Sequence, residues 1–536
     1  MDGSPLRPST VSAATIVVDT EADEFVDDDA CSLREAISNA SGNGDFSDGD
    51  CEEGSGEDTI TFANGLERIV LESNFSSISD VNLTTIDGGG DITLDGDNLY
   101  RVITVAAGGN VLLTDITITQ GASTHGAGIQ SFGNLEIIDS QITDNHASGS
   151  GGGVWTSSSS SDAMLVIRNS TVSGNSAASV GGGIYILDDH VEIYDSFVDD
   201  NDALDGGGIF ISAGQPSGTL ILERTSVTLN TAVSDGGGIL NLSDEVEIID
   251  STISRNEAGD NGGGIATFSN GPLAVLTLNR STVDHNEARI SGGGIYNFGS
   301  DVHITNSTIS TNEITGTGGG GGLFNEDTQS STMTLVNVTV AFNISSPLSS
   351  NSGIHNASSI PDQVSLRNTI VAENDPVDCS GEIDSAGNNL DSDGTCVLEG
   401  TGDISNGDAE LGPLQDNGGY TETHALLTGS DAIDTGSNAG CAADPVDNTD
   451  QREELRPEDG DNTGSSICDI GAYEAPGPEP TPSPTETPIA IATSRPNIGG
   501  ALSGLFAGQP TPLPTAQAAA APQVIRPPST GNAGLR

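Results

Sequence analysis

Aromatic residues recur at one position of an internal repeat, where their rings could bind a ligand. The position follows the aliphatic residue after each glycine triplet, as in Gly206-Gly207-Gly208-Ile209-Phe210. Five of the seven residues there are aromatic, although aromatics make up only 4% of the chain: Trp155, Tyr185, Phe210, Leu240, Ala266, Tyr296 and Phe324. Because strand side chains alternate, these rings point outward if the preceding aliphatic side chains point inward. Outward rings can bind sugars by face contact, so the five aromatic residues form a candidate carbohydrate site. The alternatives are that they cover a neighbouring loop or pack on each other.

Carboxylates are the second group of side chains that could do chemistry. The densest set is Asp188, Asp189, Asp199, Asp200, Asp202 and Asp205. Inverting glycoside hydrolysis needs two carboxyl groups about 6.5–9.5 Å apart, but a chain with 78 acidic residues gives dense acids without that role. A lyase needs a basic residue beside a cation, yet Lys is absent from the sequence, and His125-Gly126 lacks the leading Gly of a Gly-His-Gly string. We therefore predict no catalytic residue.

Two stretches rich in side-chain oxygen are candidates for binding Ca²⁺. Residues 45–58 contain seven acidic residues, and residues 389–394 (Asn-Leu-Asp-Ser-Asp-Gly) resemble half of an EF-hand loop. The first stretch matches no defined loop spacing, and the second has Gly400 where the loop needs Glu. A solvated turn and a β-turn are the favoured interpretations. We predict no cofactor, with Ca²⁺ as the open alternative.

The repeat itself runs from Ser140 to Asn374. Asn recurs nine times at intervals of 26 to 31 residues, at Asn145, Asn175, Asn201, Asn230, Asn256, Asn286, Asn312, Asn343 and Asn374. Three residues before each Asn stands Val or Ile, which favours strands over helices. A period of this length indicates stacked units that bury their apolar faces against one another. Short β-rich runs closed by Gly, Asn or Asp predict the coils of a right-handed parallel β-helix.

Stacked coils place equivalent side chains about 4.8 Å apart. The Val/Ile row then forms an inward apolar ladder, and we expect Val198 and Ile253 to be buried. The Asn row forms a ladder at a turn, because Asn tolerates the left-handed conformation and its amide can bond neighbours above and below. A disordered Gly/Ser-rich chain is the alternative, but it leaves the regular Val/Ile position unexplained.

Composition and cysteine spacing limit the partners and the location. The 536-residue chain has a net charge of −63, and all 15 basic residues are Arg, so its surface repels nucleic acid and anionic membranes. No apolar run is long enough for a transmembrane helix. The six cysteines lie outside the repeat, and proximity favours the pairs Cys31 with Cys51, Cys379 with Cys396, and Cys441 with Cys468. Because no C-x-x-C motif is present, the paired cysteines predict an oxidising, extracytoplasmic location. We also expect the protein to be a monomer.

An amphipathic helix is predicted before the repeat, in residues 31–40. Ser32 and Glu35 have the spacing of a capping box. Four apolar residues fall on one helical face: Leu33, Ala36, Ile37 and Ala40. Such a helix would close the end of a β-helix, which otherwise presents unpaired strand edges. The Cys-Ser-Leu-Arg-Glu-Ala string resembles the CSLREA N-terminal domain of exported β-helix proteins over residues 15–62. This resemblance implies export and a capping role, and it implies no chemistry.

A series of short strings after the repeat resembles a second family. They are Gly412-Pro413-Leu414, Asp416-Asn417-Gly418-Gly419, Thr423-His424-Ala425-Leu426, Ala432-Ile433-Asp434-Thr435-Gly436, Asp450-Gln451-Arg452, Arg456-Pro457 and Cys468-Asp469-Ile470-Gly471-Ala472-Tyr473-Glu474. Together they look like the choice-of-anchor Q domain of surface β-helix proteins, over residues 411–474. Glu453 departs from the Gly that the family usually has there, so that turn is expected to differ. The resemblance implies a surface protein with a variable anchoring signal and no assigned active site.

Five segments are predicted. They are a remnant of an export signal or a loose terminus (1–14), a CSLREA-like cap (15–62), β-helix repeats (63–375), a disulfide-containing C-terminal region (376–475) and a disordered Pro/Thr/Ala-rich tail (476–536). The fold class is all-β. We predict a secreted or cell-surface protein that binds extracellular polysaccharide. The alternatives are a pectinase-like polysaccharide lyase or glycoside hydrolase, and a structural surface protein.

Overall fold

The chain winds into a right-handed parallel β-helix, which confirms the predicted fold class. The computed structural model describes residues 13–477 apart from 158–163, 188, 213–217, 270–273, 327–330, 347–352, 359 and 362. Residues 1–12 of the predicted export remnant and the predicted tail from residue 478 onward lie outside the described residues. Within the described part, no helix is long and apolar enough to cross a membrane.

Forty-eight strands and two short helices make up the described chain. The elements before the regular coils are β1 (Thr15–Val18), α1 (Leu33–Gly42), β2 (Asp58–Phe62), β3 (Arg68–Val70), β4 (Leu83–Asp95), β5 (Ile103–Val105), β6 (Asn110–Thr119), β7 (Ala122–His125) and β8 (Ile129–Ser131). The first regular coils contain β9 (Asn134–Ile138), β10 (Gln141–Thr143), β11 (His146–Ser150), β12 (Val154–Ser157), β13 (Met164–Arg168), β14 (Thr171–Ser173), β15 (Ser176–Ala177), β16 (Ile184–Leu187), β17 (His190–Tyr194), β18 (Phe197–Asp199), β19 (Asp202–Ala203), β20 (Ile209–Ser212), β21 (Thr219–Glu223), β22 (Ser226–Thr228), β23 (Thr231–Ala232) and β24 (Ile239–Leu242).

The later coils continue the same order. They contain β25 (Glu245–Ile249), β26 (Thr252–Ser254), β27 (Glu257–Ala258), β28 (Ile265–Phe268), β29 (Val275–Asn279), β30 (Thr282–Asp284), β31 (Glu287–Ala288), β32 (Ile295–Phe298), β33 (Asp301–Thr305), β34 (Thr308–Ser310), β35 (Glu313–Ile314), β36 (Leu323–Glu326), β37 (Met333–Val336), β38 (Thr339–Ala341), β39 (Ile344–Ser345), β40 (Ile354–Asn356), β41 (Val364–Arg367) and β42 (Ile370–Ala372). The last elements are β43 (Cys379–Ser380), β44 (Asp384–Ser385), β45 (Leu390–Asp391), β46 (Ile404–Ser405), β47 (Leu411–Gln415), β48 (Thr423–Leu426) and α2 (Asn438–Cys441).

Three parallel sheets form the walls of the helix. Sheet 1 has 26 strands and receives two strands from each regular coil, such as β17 and β18. Sheet 2 has 11 strands and includes β12, β16 and β20, whereas sheet 3 has nine and includes β11, β15 and β19. The register is continuous, because Val198 pairs with Val172 on one side and with Val227 on the other. Parallel pairing continues to Ser405, beyond the last Asn of the repeat.

An apolar ladder fills the interior. Val198 and Ile253 are both 0% exposed, as predicted, and every Val or Ile at the equivalent position is buried. Two further side chains of each long strand of sheet 1 point inward, for example Val191 and Ile193 in β17, and both are 0% exposed. A parallel β-helix has no other apolar interior, so these stacked rows are its core.

The asparagines form a continuous buried ladder at the turn that leads from sheet 1 to sheet 3 in each coil. In Asn230, Nδ2 donates to Asn256 Oδ1 at 3.0 Å and to the Val198 carbonyl at 2.9 Å. Its Oδ1 accepts from the backbone N–H of Asn201 at 3.0 Å and from Asn201 Nδ2 at 2.9 Å. The same pattern links consecutive asparagines from Asn145 to Asn374. Each amide therefore satisfies backbone groups that the turn would leave unpaired.

The N-terminal helix and the disulfides also agree with the sequence analysis. Helix α1 begins after Ser32, and Ser32 and Glu35 form a reciprocal capping box. The three predicted disulfides are present, with Cα–Cα distances of 4.8 Å (Cys31–Cys51), 4.7 Å (Cys379–Cys396) and 6.6 Å (Cys441–Cys468).

Residues 411–475, which we term the C-terminal lobe, fold back along the outside of sheet 1. Gln451 Nε2 donates to Thr282 Oγ1 at 2.9 Å, and its Oε1 accepts from Thr308 Oγ1 at 2.7 Å. Two coils beyond Thr282, the backbone N–H of Ala472 donates to Thr339 Oγ1 at 3.0 Å. The lobe therefore buries outward side chains of β30, β34 and β38 that would otherwise face solvent. Before these strands, the outer face of sheet 1 stays open.

Truncation of the apolar ladder tests this core. We expect Ile253→Ala to lower the free energy of unfolding by about 2–4 kcal/mol, because it leaves a cavity that the stacked coils cannot close. Phe197→Ala is the matched control, since Phe197 is 54% exposed in an adjacent row. Urea titration followed by circular dichroism measures both. Equal effects of the two changes would show that the faces are assigned wrongly.

Removal of one asparagine tests the polar ladder. Asn230→Ala removes the acceptor of the Asn201 amide and the donor to the Val198 carbonyl, and both groups are buried. We expect a loss of about 2–4 kcal/mol in unfolding free energy, the cost of two buried unpaired groups. Thr231→Ala, at the next and exposed position, should have little effect. A stability near that of the unmodified protein would rule out the ladder as a major stabilising element.

Candidate functional site

The predicted aromatic row lies on the outer face of sheet 2, but its rings stack on each other. The ring centroids of Trp155 and Tyr185 are 6.1 Å apart, and those of Tyr185 and Phe210 are 5.4 Å apart. Tyr296 and Phe324 lie 5.3 Å apart with planes only 9° from parallel. Of the alternatives that the sequence left open, these contacts favour rings that pack on each other, because coil spacing brings the rings of adjacent coils together.

Burial of the row agrees with this stacking. Phe210, Tyr296 and Phe324 are only 6–7% exposed and form an apolar cluster separate from the interior, whereas Trp155 and Tyr185 are half-buried. Burial and the nearby carboxylate of Glu326 raise the pKa of Tyr296 far above its usual value. Carbohydrate binding by this row stays a prediction, and within the described residues only its first two members offer substantial surface.

A different surface carries exposed rings. We term it the open face: the outer surface of sheet 1 from β9 to β25, together with the edge of the C-terminal lobe. Phe197 is 54% exposed in β18, and Tyr420 of the lobe is 60% exposed. Tyr194, at the end of β17, is half-buried. Alternation in the strand requires Phe197 to point outward, because its neighbour Val198 points inward.

Arginines hold two of these rings in place. Arg224 Cζ lies 5.7 Å from the ring centroid of Tyr420, and Arg168 Cζ lies 4.2 Å from that of Tyr194. Contacts of this type stabilise a cation over an aromatic face. Tyr420 thus extends past the covered strands to Arg224, the residue that follows β21.

A hydrogen-bonded chain of polar side chains crosses β17. Glu192 Oε1 lies 3.1 Å from His190 Nε2, and Glu192 Oε2 accepts from the Tyr194 hydroxyl at 2.9 Å. His190 Nδ1 also contacts the hydroxyl of Thr219 on the next coil. Partial burial, followed by the bond to Glu192, raises the pKa of Tyr194 above its usual value. The chain fixes the orientation of these groups on the open face.

The open face continues toward the N-terminus as a shallow depression. A cavity of about 320 Å³ is lined by Asn110, Asn134, Leu135, Glu136, Met164 and Val166. Glu136 Oε1 is 3.5 Å from Arg168 Nε, so the cavity lies next to the arginine that contacts the Tyr194 ring. Polar and apolar groups therefore alternate along several coils.

The acidic residues singled out in the sequence do not form one site. Asp189 is buried and contacts Thr156, whereas Asp199 lies on sheet 1 and accepts from Thr228 Oγ1 at 2.7 Å. Asp202 lies on sheet 3, where burial raises its pKa. Asp188 lies outside the described residues. His125 ends β7, with its ring 6.1 Å from that of Trp155.

The half EF-hand stretch forms a turn in which the acids accept backbone N–H groups. Asn389 is buried, and its Oδ1 accepts from Thr369 N–H at 3.0 Å. Oxygens of Asp378, Asp391 and Asp393 lie within 4.8 Å of one another. Asp391 accepts from Gly394 N–H at 3.0 Å and from Cys396 N–H at 3.1 Å, and burial raises its pKa to about 6. These bonds orient the carboxylate of Asp391 within the turn.

The sequence analysis did not identify the open face. Strand alternation beside the inward Ile193 and Val198 would have placed Tyr194 and Phe197 outward, a signal that the repeat contains. The position of Tyr420 has no local signal, because Tyr420 reaches Arg224 only when the lobe docks on coils far away in sequence.

Comparisons with known proteins give little further information. No protein-family model and no curated protein matches this chain. Among solved structures, a crystal structure of pectate lyase Pel9A is similar with a TM-score of 0.34 and 12% identity, covering 87% of this chain and 97% of that chain. Such a remote likeness assigns neither activity nor substrate. The resemblances to the CSLREA and choice-of-anchor Q domains stay predictions.

The strings after the repeat form a buried network of charges in the C-terminal lobe. Arg452 Nη2 donates to Asp450 Oδ2 at 2.6 Å, and Arg456 Nη1 lies 3.6 Å from Glu474 Oε2. Asp469 accepts from the Ala475 N–H at 2.6 Å. Burial, reinforced by the nearby Glu474, raises the pKa of Asp469 to about 8.

The raised pKa of Asp469 predicts a pH dependence of stability. An acid with a folded pKa above its unfolded value binds more protons when folded, so its ionisation should make stability fall as pH rises from about 4 to about 8. Asp469→Asn should flatten this slope, whereas the exposed Asp431→Asn should leave it unchanged. Urea midpoints across this pH range provide the measurement. Identical slopes in all three proteins would contradict the assignment to Asp469.

Proposed function

We propose that this protein is exported and binds an extracellular polysaccharide on its open face. The observation that carries the proposal is the presence of two rings that are more than half exposed, Phe197 on sheet 1 and Tyr420 over Arg224. Exposed aromatic faces suit contact with the apolar faces of sugars.

The shape of the open face suits an extended polymer. It is a sheet surface without strand edges, and equivalent positions repeat at every coil. Weak contacts that recur along a polymer add up, because later contacts form at high effective concentration. The asparagine ladder keeps the coils rigid, so little entropy is lost in positioning the side chains.

Export is supported by the disulfides. All six cysteines are paired, and the Cys31–Cys51 and Cys441–Cys468 bonds fasten the N-terminal cap and the lobe. Such bonds persist in oxidising compartments. We therefore place the protein outside the cytoplasm, secreted or at the cell surface, in keeping with what both family resemblances imply.

Polysaccharide cleavage is the second candidate function. The hydrogen-bonded His190, Glu192 and Tyr194 favour it, because this set offers an acid, a base and a bridging carboxylate on the same face. Release of unsaturated or reducing ends by the pure protein would establish this activity. Binding requires only the rings and is the simpler use of the face.

Removal of the two exposed rings tests the binding proposal. Phe197→Ala combined with Tyr420→Ala should weaken retention on a polysaccharide column by about tenfold, since each ring contact is worth roughly 0.5–1.5 kcal/mol. The panel should contain neutral, anionic and amine-bearing polymers. Binding constants come from affinity electrophoresis of the full chain.

Two controls make the result decisive. Phe25→Ala removes a ring that is 50% exposed in the N-terminal cap and should change nothing. Trp155→Ala with Tyr185→Ala probes the row on sheet 2. Reduced retention in that double variant, with normal retention in the Phe197 and Tyr420 variant, would move the binding surface to sheet 2 and overturn the proposal.

A further inference from the structure

We infer that the polysaccharide of the open face carries protonated amino groups. This inference rests on the proposed function and names its ligand class. It follows from the distribution of charge around the exposed rings, because the few arginines of the face are all outnumbered by carboxylates.

Three arginines on or beside the face each lie between two acids. Arg168 contacts Glu136 at 3.5 Å and Glu192 at 3.9 Å. Arg224 is 2.7 Å from Asp195 and also contacts Glu223, whereas Arg280 is 2.7 Å from Asp250 and 3.6 Å from Glu453. These three triplets hold three positive and six negative charges. These three arginines are already paired, and the excess of carboxylates around them would repel a polyuronate.

Carboxylates also alternate with apolar side chains along the coils. In one outward row of sheet 1, Glu136 pairs with Val166, Val166 with Glu192, Glu192 with Ile221, and Ile221 with Glu247. The glutamates are thus two coil spacings apart, about 9.6 Å. Glu247 has no basic partner among the residues that the structure describes.

This alternation complements a two-fold sugar chain with one amine on each residue. In such a chain, every second residue presents its amine on the same edge, and the apolar ring faces lie between. Protonated amines would meet Glu192 and Glu247, while Phe197 and Tyr420 would contact ring faces. Cations are also attracted to aromatic faces, so both parts of the surface favour the same ligand.

Oligomers of glucosamine, N-acetylglucosamine and galacturonate test the inference with the full chain. We expect glucosamine oligomers to bind most tightly, and their affinity to fall as pH rises and the amines lose their protons. Glu192→Gln with Glu247→Gln should weaken glucosamine binding about three- to tenfold, as expected for two ion pairs at a protein surface. Glu247→Gln alone should weaken glucosamine binding less and leave binding of the N-acetylated oligomer unaltered, because Glu247 orients no other described group of the face.

The matched control is Glu257→Gln with Glu313→Gln. These exposed residues are also two coils apart, but they lie on sheet 3. An equal loss in both double variants would mean adsorption by the total charge of −63 and would overturn the inference. Tighter binding of galacturonate or of the N-acetylated oligomer would also overturn it. Either result would leave the proposed function standing if Phe197→Ala with Tyr420→Ala still weakened binding.

Discussion

The hydrogen-bonded register between consecutive coils is the constraint on which the rest of this structure depends. A coil of a β-helix has no interior of its own, so each Val or Ile is buried only when its equivalents lie directly above and below it. The asparagines fix that alignment, since Nδ2 and Oδ1 of each bond the coils on both sides. Any slip in register would expose apolar side chains and leave buried amides unpaired at once.

The same register explains both what the sequence predicted and what it did not. The period, the Val/Ile position and the Asn position predicted the fold and the buried ladders, and the spacing of Ser32 and Glu35 predicted the N-terminal helix. The aromatic row was also placed on the correct sheet. Whether its rings were free or packed together stayed open in the sequence, and the structure shows that residues one coil apart are close enough for rings such as Tyr296 and Phe324 to stack. Exposure depends on the neighbouring coils, which a single repeat unit does not contain.

The open face arises from a contact that no local pattern contains. The C-terminal lobe covers sheet 1 only from the coil of Thr282 onward, where Gln451 bonds two threonines of the sheet. Phe197, three coils earlier, therefore remains exposed, and Tyr420 at the edge of the lobe comes to lie above Arg224. A sequence pattern can identify Phe197 as outward. The pattern cannot place Tyr420 on the same face, because the contact of Tyr420 with Arg224 depends on the docking of the whole lobe.

Hydroxyl-radical footprinting with and without a bound polysaccharide tests the central claim most directly, because it reports the solvent exposure of individual side chains. Binding on the open face predicts that oxidation of Phe197, Tyr194 and Tyr420 falls on addition of the polymer, while oxidation of Trp155, Tyr185 and Phe25 does not change. Protection of Trp155 and Tyr185 with unchanged oxidation of Phe197 and Tyr420 would contradict it.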